Sequence, residues 1–267
     1  MGLVSHGARV RGRRDGMPAA EFWTERTVAW YARALARSDY ARRVLDALGS
    51  ELDRCRDALD VGAGCGALAL PLARRLAAVT ALEPAPAMAA ALRAAAAREG
   101  LGNLAVVQAA WGEAPVPPHD LVLCAHVGGL MRRDSPFLRE AGLVARRLVC
   151  LVRDIEGKPG ADKFFFSELY PALLGRPYKH RCDDDETLAA LERLGIRPDV
   201  AVITYSSDQP FTSLDEACDF FMTYLSVEGP GPRAYLERFL AERLECRAGE
   251  WVAPLRKTAA VITWRTG

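Results

Sequence analysis

The residues with the most chemistry to offer are an aspartate, three alternating glycines and a glutamate: Asp60, Gly62, Gly64 and Gly66, then Glu83. A short apolar run, "ALDV", leads into the glycines, and a helix-favouring run over 67–77 follows them. A glycine turn here lets backbone approach a ligand with no Cβ in the way. Free N–H groups at the start of the next helix favour an anion. Asp60 would repel a pyrophosphate but attract an ammonium. A ligand with both a carboxylate and an ammonium, an amino acid, satisfies both features. Glu83 lies 23 residues after Asp60, and from the end of the neighbouring strand it can accept both hydroxyls of a ribose. "VVQAAW", 106–111, closes the third strand, where Ala110 and Trp111 can grip an adenine, the indole by stacking. Amino acid, ribose and adenine, in that order, describe S-adenosyl-L-methionine. Gly62, Gly64 and Ala67 also satisfy a looser dinucleotide fingerprint. The DxGxGxG spacing, with Asp60 in front, favours the methyl donor. Ala63, Pro84, Met88 and Ala125 flank these positions and complete the predicted cofactor-binding set.

A sulfonium is already an activated leaving group, so much of the catalysis can come from holding the acceptor in line with the methyl. A base helps only if the acceptor has a proton to lose. His126 is the candidate. It follows "LVLCA" at the carboxyl edge, where sheets of this kind bind ligands. The alternative is a histidine that only hydrogen-bonds backbone at a strand end. Trp23 and Tyr31 on the first helix, and Phe165, Tyr170 and Tyr178 in "FFFSELYPALLGRPYKH", 164–180, are candidate acceptor-pocket residues. Lys179 and His180 would add polar contacts. The same aromatics read equally as core anchors beneath a long loop. Nothing predicts a metal site.

These groups need elements to position them. Apolar residues at helical spacing predict helices over 20–35 and 38–52. Short runs apolar on both faces then alternate with helical stretches: "ALDV", "AVTAL", "LAVVQ", "LVLCA" and "RLVCLVR", with helices over 67–77, 86–99 and 134–146. That is the texture of parallel strands buried between two helical layers. After Arg153 the alternation breaks. A helix over 186–194 ends at Gly195, "VAVITYS" reads as a strand, and helices follow over 213–225 and 233–245. The last strand, "KTAAVITWR", lies too near the end to begin another crossover unit and is expected antiparallel beside its predecessor.

Residues 57 to about 153 resemble the Rossmann-like class I S-adenosylmethionine-dependent methyltransferases. "LDVGAGCG" is similar to their first motif, "ALEP" to the acidic end of the second strand, and "HDLVLCAHV" to the fourth-strand motif. The resemblance implies a three-layer α/β fold with a seven-stranded sheet in order 3-2-1-4-5-7-6, the last strand antiparallel. The family often carries an aspartate at the adenine position, which "QAAWGE" lacks; backbone amides and Trp111 are the expected substitute. The predicted organisation is an N-terminal helical lid (1–56), a donor-binding core (57–154), and the rest of the sheet (155–267) with helical caps at 155–185 and 213–245.

The bulk numbers narrow the acceptor. The 267 residues carry 35 basic and 34 acidic side chains, a net charge of +1, which disfavours a nucleic-acid binder held by phosphates. The basic start, 9–16, reads as a solvated terminus. Seven cysteines with no CxxC pair speak against both a disulfide framework and a zinc knuckle. No apolar stretch approaches the roughly 18 residues of a membrane span. The expectation is a cytoplasmic monomer or homodimer that methylates a small molecule. A tRNA or protein methyltransferase, or a non-catalytic donor-binding protein, is the alternative.

Overall fold

The computed structural model describes residues 19–155, 163–178 and 184–266. The basic start, Lys179, His180 and Cys182 lie outside them. Two helices, α1 (Ala19–Phe22) and α2 (Glu25–Leu35), occupy the stretch predicted as one. Thr24 separates them. Its hydroxyl accepts the Thr27 N–H while the Thr27 hydroxyl accepts the Thr24 N–H at 2.9 Å, a reciprocal cap that starts α2 afresh. The second predicted helix is also divided, into α3 (Tyr40–Leu48) and α4 (Ser50–Asp53), because Gly49 takes φ +51° between them.

The alternating core follows: β1 (Asp57–Val61), α5 (Ala69–Ala73), β2 (Ala78–Leu82), α6 (Pro86–Arg98), β3 (Leu104–Val107), β4 (His119–Ala125), α7 (Phe137–Val144) and β5 (Ala145–Asp154). The helix after the glycines is shorter than predicted at both ends, because residues 67–68 and 74–77 form turns and bends. The chain continues through α8 (Phe166–Leu174), α9 (Asp184–Arg193), β6 (Asp199–Ser206), β7 (Gln209–Phe211), α10 (Leu214–Leu225), α11 (Pro230–Arg243), β8 (Glu245–Arg247), β9 (Glu250–Ala253) and β10 (Arg256–Arg265).

Seven strands form one sheet in the order β3-β2-β1-β4-β5-β10-β6. Counting only this sheet, β10 is its seventh strand, antiparallel to both β5 and β6, as the resemblance implied. The α3, α5 and α6 side buries Leu48, Leu72 and Leu92 in one cluster; α7 and α9 bury Phe137, Ala141 and Leu191 in the other. Each layer covers one apolar face of the strands, which is why the strand sequences show no polar alternation. The short β7-β9-β8 sheet went unforeseen. A third cluster joins Trp30 of α2 to Phe166 and Leu169 of α8, Phe220 and Phe221 of α10, and Leu236 and Leu240 of α11. Among the described residues no helix is long and apolar enough to cross a membrane.

Candidate active site

The carboxyl ends of β1, β2, β4, β5 and β6 gather at one edge of the sheet, because β10 runs opposite to its two neighbours. They bring Asp60, Glu83, His126, Asp154 and Tyr205 to that edge.

The three glycines divide their work. All have positive φ: +74° at Gly62, +57° at Gly64 and +97° at Gly66. A Cβ at Gly62 would sit 2.3 Å from Val127 Cγ2, and one at Gly66 would sit 2.4 Å from Leu92 Cδ1. These two glycines serve the protein's own packing. At Gly64 the nearest atom would be Met88 Sδ at 4.0 Å, so this is the position where bare backbone faces open space. Glu83 holds the loop in shape. One carboxylate oxygen accepts the Gly64 N–H and the other the Ala85 N–H, both at 2.8 Å. The sequence pointed to Glu83 as a ribose ligand; the structure shows it gripping the glycine loop. Each carboxylate oxygen has lone pairs left for a ribose hydroxyl.

Asp60 is buried, and its Oδ2 has no hydrogen-bond partner. Burial first, and the charge of Glu83 second, push its carboxyl up to about 7, against the pull of the Ala69 N–H. Glu83 is raised by its own burial, with the Ala85 and Gly64 N–H groups working the other way. Two adjacent buried carboxyls with one oxygen unsatisfied are a site for a cation. An ammonium at Oδ2, a ribose at Glu83 and main chain laid along Gly64 match the polar groups of S-adenosylmethionine. The residues present therefore fit the methyl donor.

This fit has a pH consequence. An ordinary aspartate ionises near about 4. Between about pH 4 and 7 the folded, unliganded chain therefore keeps a proton on Asp60 that the unfolded chain has lost, so this group's contribution to stability falls as pH rises through that window. An ammonium bound at Oδ2 needs the carboxylate. Affinity for S-adenosylhomocysteine is expected to rise about tenfold from pH 5.5 to 7 and then level off, with a proton released on binding below about pH 7. Calorimetry in buffers of different ionisation enthalpy measures both. An affinity flat across that range would show that no cation meets Asp60.

Met88 is buried beneath Gly64, in a cluster with Cys65, Ala85 and Val28. Trp23 and Tyr31 pack onto the same cluster, so α2 lies against the glycine loop. Burial, with Cys65, Tyr224, Asp60 and Asp154 close by, pushes the Tyr31 phenol well above its ordinary range. The other side of α2 is tied to α10. Trp30 donates its indole N–H to Glu216 at 3.0 Å, and Arg33 pairs with the same carboxylate. Partial burial would raise Glu216, but Arg33 and the Thr212 N–H outweigh it and pull the group down to about 2. A separate cavity of about 300 Å³, lined by Phe22, Thr24, Thr27, Trp30, Thr223 and Ser226 among others, contains none of the carboxyl-edge groups.

At the adenine end, β3 stops at Val107, so Ala110 and Trp111 lie in the loop beyond the strand rather than at its end. The indole donates to Glu140 at 2.7 Å and meets Phe137 edge-on at 4.9 Å, which immobilises it. The Ala110 N–H already donates to Glu113 at 2.8 Å, so that amide is not offered to a ligand. Ala63 is buried in the glycine loop, Ala125 closes β4, and Pro84 is exposed.

His126 turns the chain out of β4 at φ +57°, a left-handed conformation costing a non-glycine residue about 1–3 kcal/mol. Its N–H donates to the Val152 carbonyl at 3.0 Å, and its Nδ1 lies 3.6 Å from Asp154 Oδ1. The ring of Tyr40 stands beside it, and that of Tyr205 beside Tyr40. Tyr40 is 5.5 Å from the imidazole and 4.8 Å from Tyr205, centroid to centroid. Tyr40 is placed by the start of α3, where Asp39 accepts the Ser206 N–H at 3.0 Å and Ser38 donates to the Ser206 carbonyl. Sequence reasoning singled out neither tyrosine. Nothing local marks them, and only the meeting of α3 with the end of β6 brings them to His126.

The predicted substrate residues of the cap form a cluster of their own. Phe165 meets Phe239 at 5.8 Å and Phe221 at 6.4 Å; Tyr170 and Tyr178 meet at 4.9 Å, and both touch Phe166. Among the described residues these ring contacts lie within the cap. Among the described residues no group of histidines, cysteines and acids could hold a metal ion, and the described cysteines are free.

Residues 58–147 match the family model described as "Methyltransferase domain". No curated protein matches the chain. Solved structures do. A SAM-dependent methyltransferase from Aquifex aeolicus is 20% identical, over 68% of this chain and 92% of its own, with a TM-score of 0.49. Magnesium protoporphyrin IX methyltransferase from Synechocystis PCC 6803, with bound SAH, is 15% identical over 83% and 82%, at 0.46. Precorrin-6y C5,15-methyltransferase from Geobacter metallireducens GS-15 is 12% identical over 82% and 86%, at 0.46.

Proposed function

We propose that this protein, whose residues 58–147 form a class I S-adenosylmethionine-dependent methyltransferase domain, methylates a small molecule enclosed at the carboxyl edge of its sheet. When bound, S-adenosylmethionine supplies an electrophilic methyl group on a sulfonium. The chain's own residues do the rest. Asp60 takes the ammonium, Glu83 the ribose, Gly64 the close backbone approach, and the immobilised Trp111 a face for the adenine. His126 accepts the proton of the acceptor.

One observation carries the small-molecule reading. The helix that packs on the glycine loop, α2, also buries Trp30 in the aromatic cluster of α8, α10 and α11. A cover of that kind suits an acceptor small enough to be surrounded. A tRNA or a protein would need an open, basic groove beside the methyl. The balanced charge of the chain gives such a groove no support.

The donor half is tested by thermal scanning. S-adenosylhomocysteine at about 100 times its dissociation constant is expected to add about 2.7 kcal/mol of stability. NADH at the same concentration is expected to add none. A scan in which NADH stabilises and S-adenosylhomocysteine does not would reverse the assignment.

A further inference from the structure

We propose that Asp154 is a positioning residue for His126, and that the acceptor is a phenol-type hydroxyl compound, its oxygen held by the Tyr40 hydroxyl while His126 removes its proton. The proposal rests on the methyl-transfer reading above and names its acceptor.

Three observations converge. The first is the pair itself. His126 sits in a strained left-handed conformation, pinned through its N–H to Val152, and Asp154 faces its Nδ1 at 3.6 Å from the end of the adjacent strand. A carboxylate on one ring nitrogen favours the tautomer whose other nitrogen carries the lone pair that accepts a proton. The second is the Tyr40 hydroxyl, which is buried with no hydrogen-bond partner. Burial foremost, with Tyr205, Tyr31, Cys150 and Asp60 nearby, raises its phenol well above the ordinary range, so it stays an O–H donor. The third is the lining. The Tyr40 ring lies 5.5 Å from the imidazole and 4.8 Å from the buried Tyr205 ring, aromatic surroundings that suit an aromatic acceptor.

A base beside an O–H donor fits an oxygen nucleophile. As His126 takes the acceptor proton, negative charge grows on oxygen, and the Tyr40 O–H stabilises it. A phenol, ionising near about 10, is acidic enough for an imidazole to share its proton in the transition state. The oxygen pair then bonds to the methyl carbon, and the pair of the broken carbon–sulfur bond stays on sulfur. The products are a methyl ether, a neutral thioether and protonated His126. An amine nucleophile becomes more positive as it reacts and has no use for the Tyr40 donor.

The groups facing His126 come from several elements. Among the described residues they include Asp154 on β5 and Tyr40 on α3, with Tyr205 on β6, Asp60 on β1 and Tyr31 on α2 around Tyr40. Lys257 on β10, in register with Tyr205, brings a cation to the same edge. Asp154 is the carboxylate against the imidazole, so its removal dominates the change.

The full chain is incubated with radiolabelled S-adenosylmethionine and three matched probes: a naphthol, the corresponding naphthylamine and the corresponding naphthalenethiol. Label is expected on the naphthol alone. Asp154→Asn is expected to lower kcat about tenfold and to move the acidic limb of the pH profile to lower pH. Without donor or acceptor, the NMR titration of the His126 ring is expected to move the same way. Tyr40→Phe, which keeps the ring, is expected to lower kcat about tenfold with S-adenosylhomocysteine affinity unchanged. An unmoved His126 titration in Asp154→Asn overturns the positioning role. Unchanged kcat in Tyr40→Phe, or label on the amine or thiol, overturns the hydroxyl acceptor. So does a wild-type chain that binds S-adenosylhomocysteine yet labels no probe. Failure of the wild-type chain to bind S-adenosylhomocysteine counts against the donor reading instead.

Discussion

Gly64→Ala is expected to end donor binding in a chain that still folds, whereas Gly66→Ala is expected to damage the fold itself. The two positions look alike in sequence, and both have positive φ, +57° and +97°. Their surroundings differ. A methyl at Gly64 meets nothing nearer than Met88 Sδ at 4.0 Å, so the protein bears only the left-handed strain of alanine, about 1–2 kcal/mol. That methyl occupies the space in which the proposed donor site has the donor lie against backbone. A methyl at Gly66 would stand 2.4 Å from Leu92 Cδ1 and 2.9 Å from Leu70 Cγ, both in the packed layer over β1. Overpacking and strain together cost about 2–6 kcal/mol there, a large share of a typical domain's stability. Thermal scans with and without S-adenosylhomocysteine separate the cases. Gly64→Ala should keep most of its unliganded Tm and lose the ligand shift. Gly66→Ala should lose Tm before any ligand is added. A Gly64→Ala chain that binds the donor normally would place the donor elsewhere.

The second large effect belongs to His126. His126→Asn is expected to lower turnover by about 10²–10⁴ while donor affinity changes less than about twofold. Asparagine is the informative replacement because it tolerates the left-handed conformation the position requires, so the turn after β4 survives. Calorimetry with S-adenosylhomocysteine alongside single-turnover methyl transfer gives both numbers. A variant with wild-type turnover would reduce His126 to a residue that shapes the turn. A variant with lost donor affinity would move it into the donor site.

The sheet was largely legible before the structure because its strands are of the kind that leaves a clear mark. β2 is the run "AVTAL" to the residue, and β1, β4 and β5 differ from their apolar runs only at the ends. Buried on both faces, they carry few polar residues, and those, apart from Thr80, lie at or near the strand ends, where they do little to blur the pattern. The three-residue strands β7 and β8 carry no such mark, since each exists only through its pairing with β9. The helix break at Thr24 escaped notice because the capping partner is Thr27 rather than the usual Glu or Gln. In the site, residue types and spacing singled out Asp60, Gly64 and Glu83, which lie close together in sequence around one loop. They did not single out Tyr40, Asp154 and Tyr205, which come from three distant elements. Nor could spacing tell that Glu83 also clamps the loop, or that Gly62 and Gly66 serve Val127 and Leu92.

The proposed function has a donor-bound His126 site methylate something small. Its most direct test is to incubate the full chain with radiolabelled S-adenosylmethionine and a total cell extract, then separate metabolites from RNA and protein before counting. The account predicts label in the small-molecule fraction, lost with His126→Asn. Label confined to RNA or protein, or label in metabolites that survives His126→Asn undiminished, would contradict it.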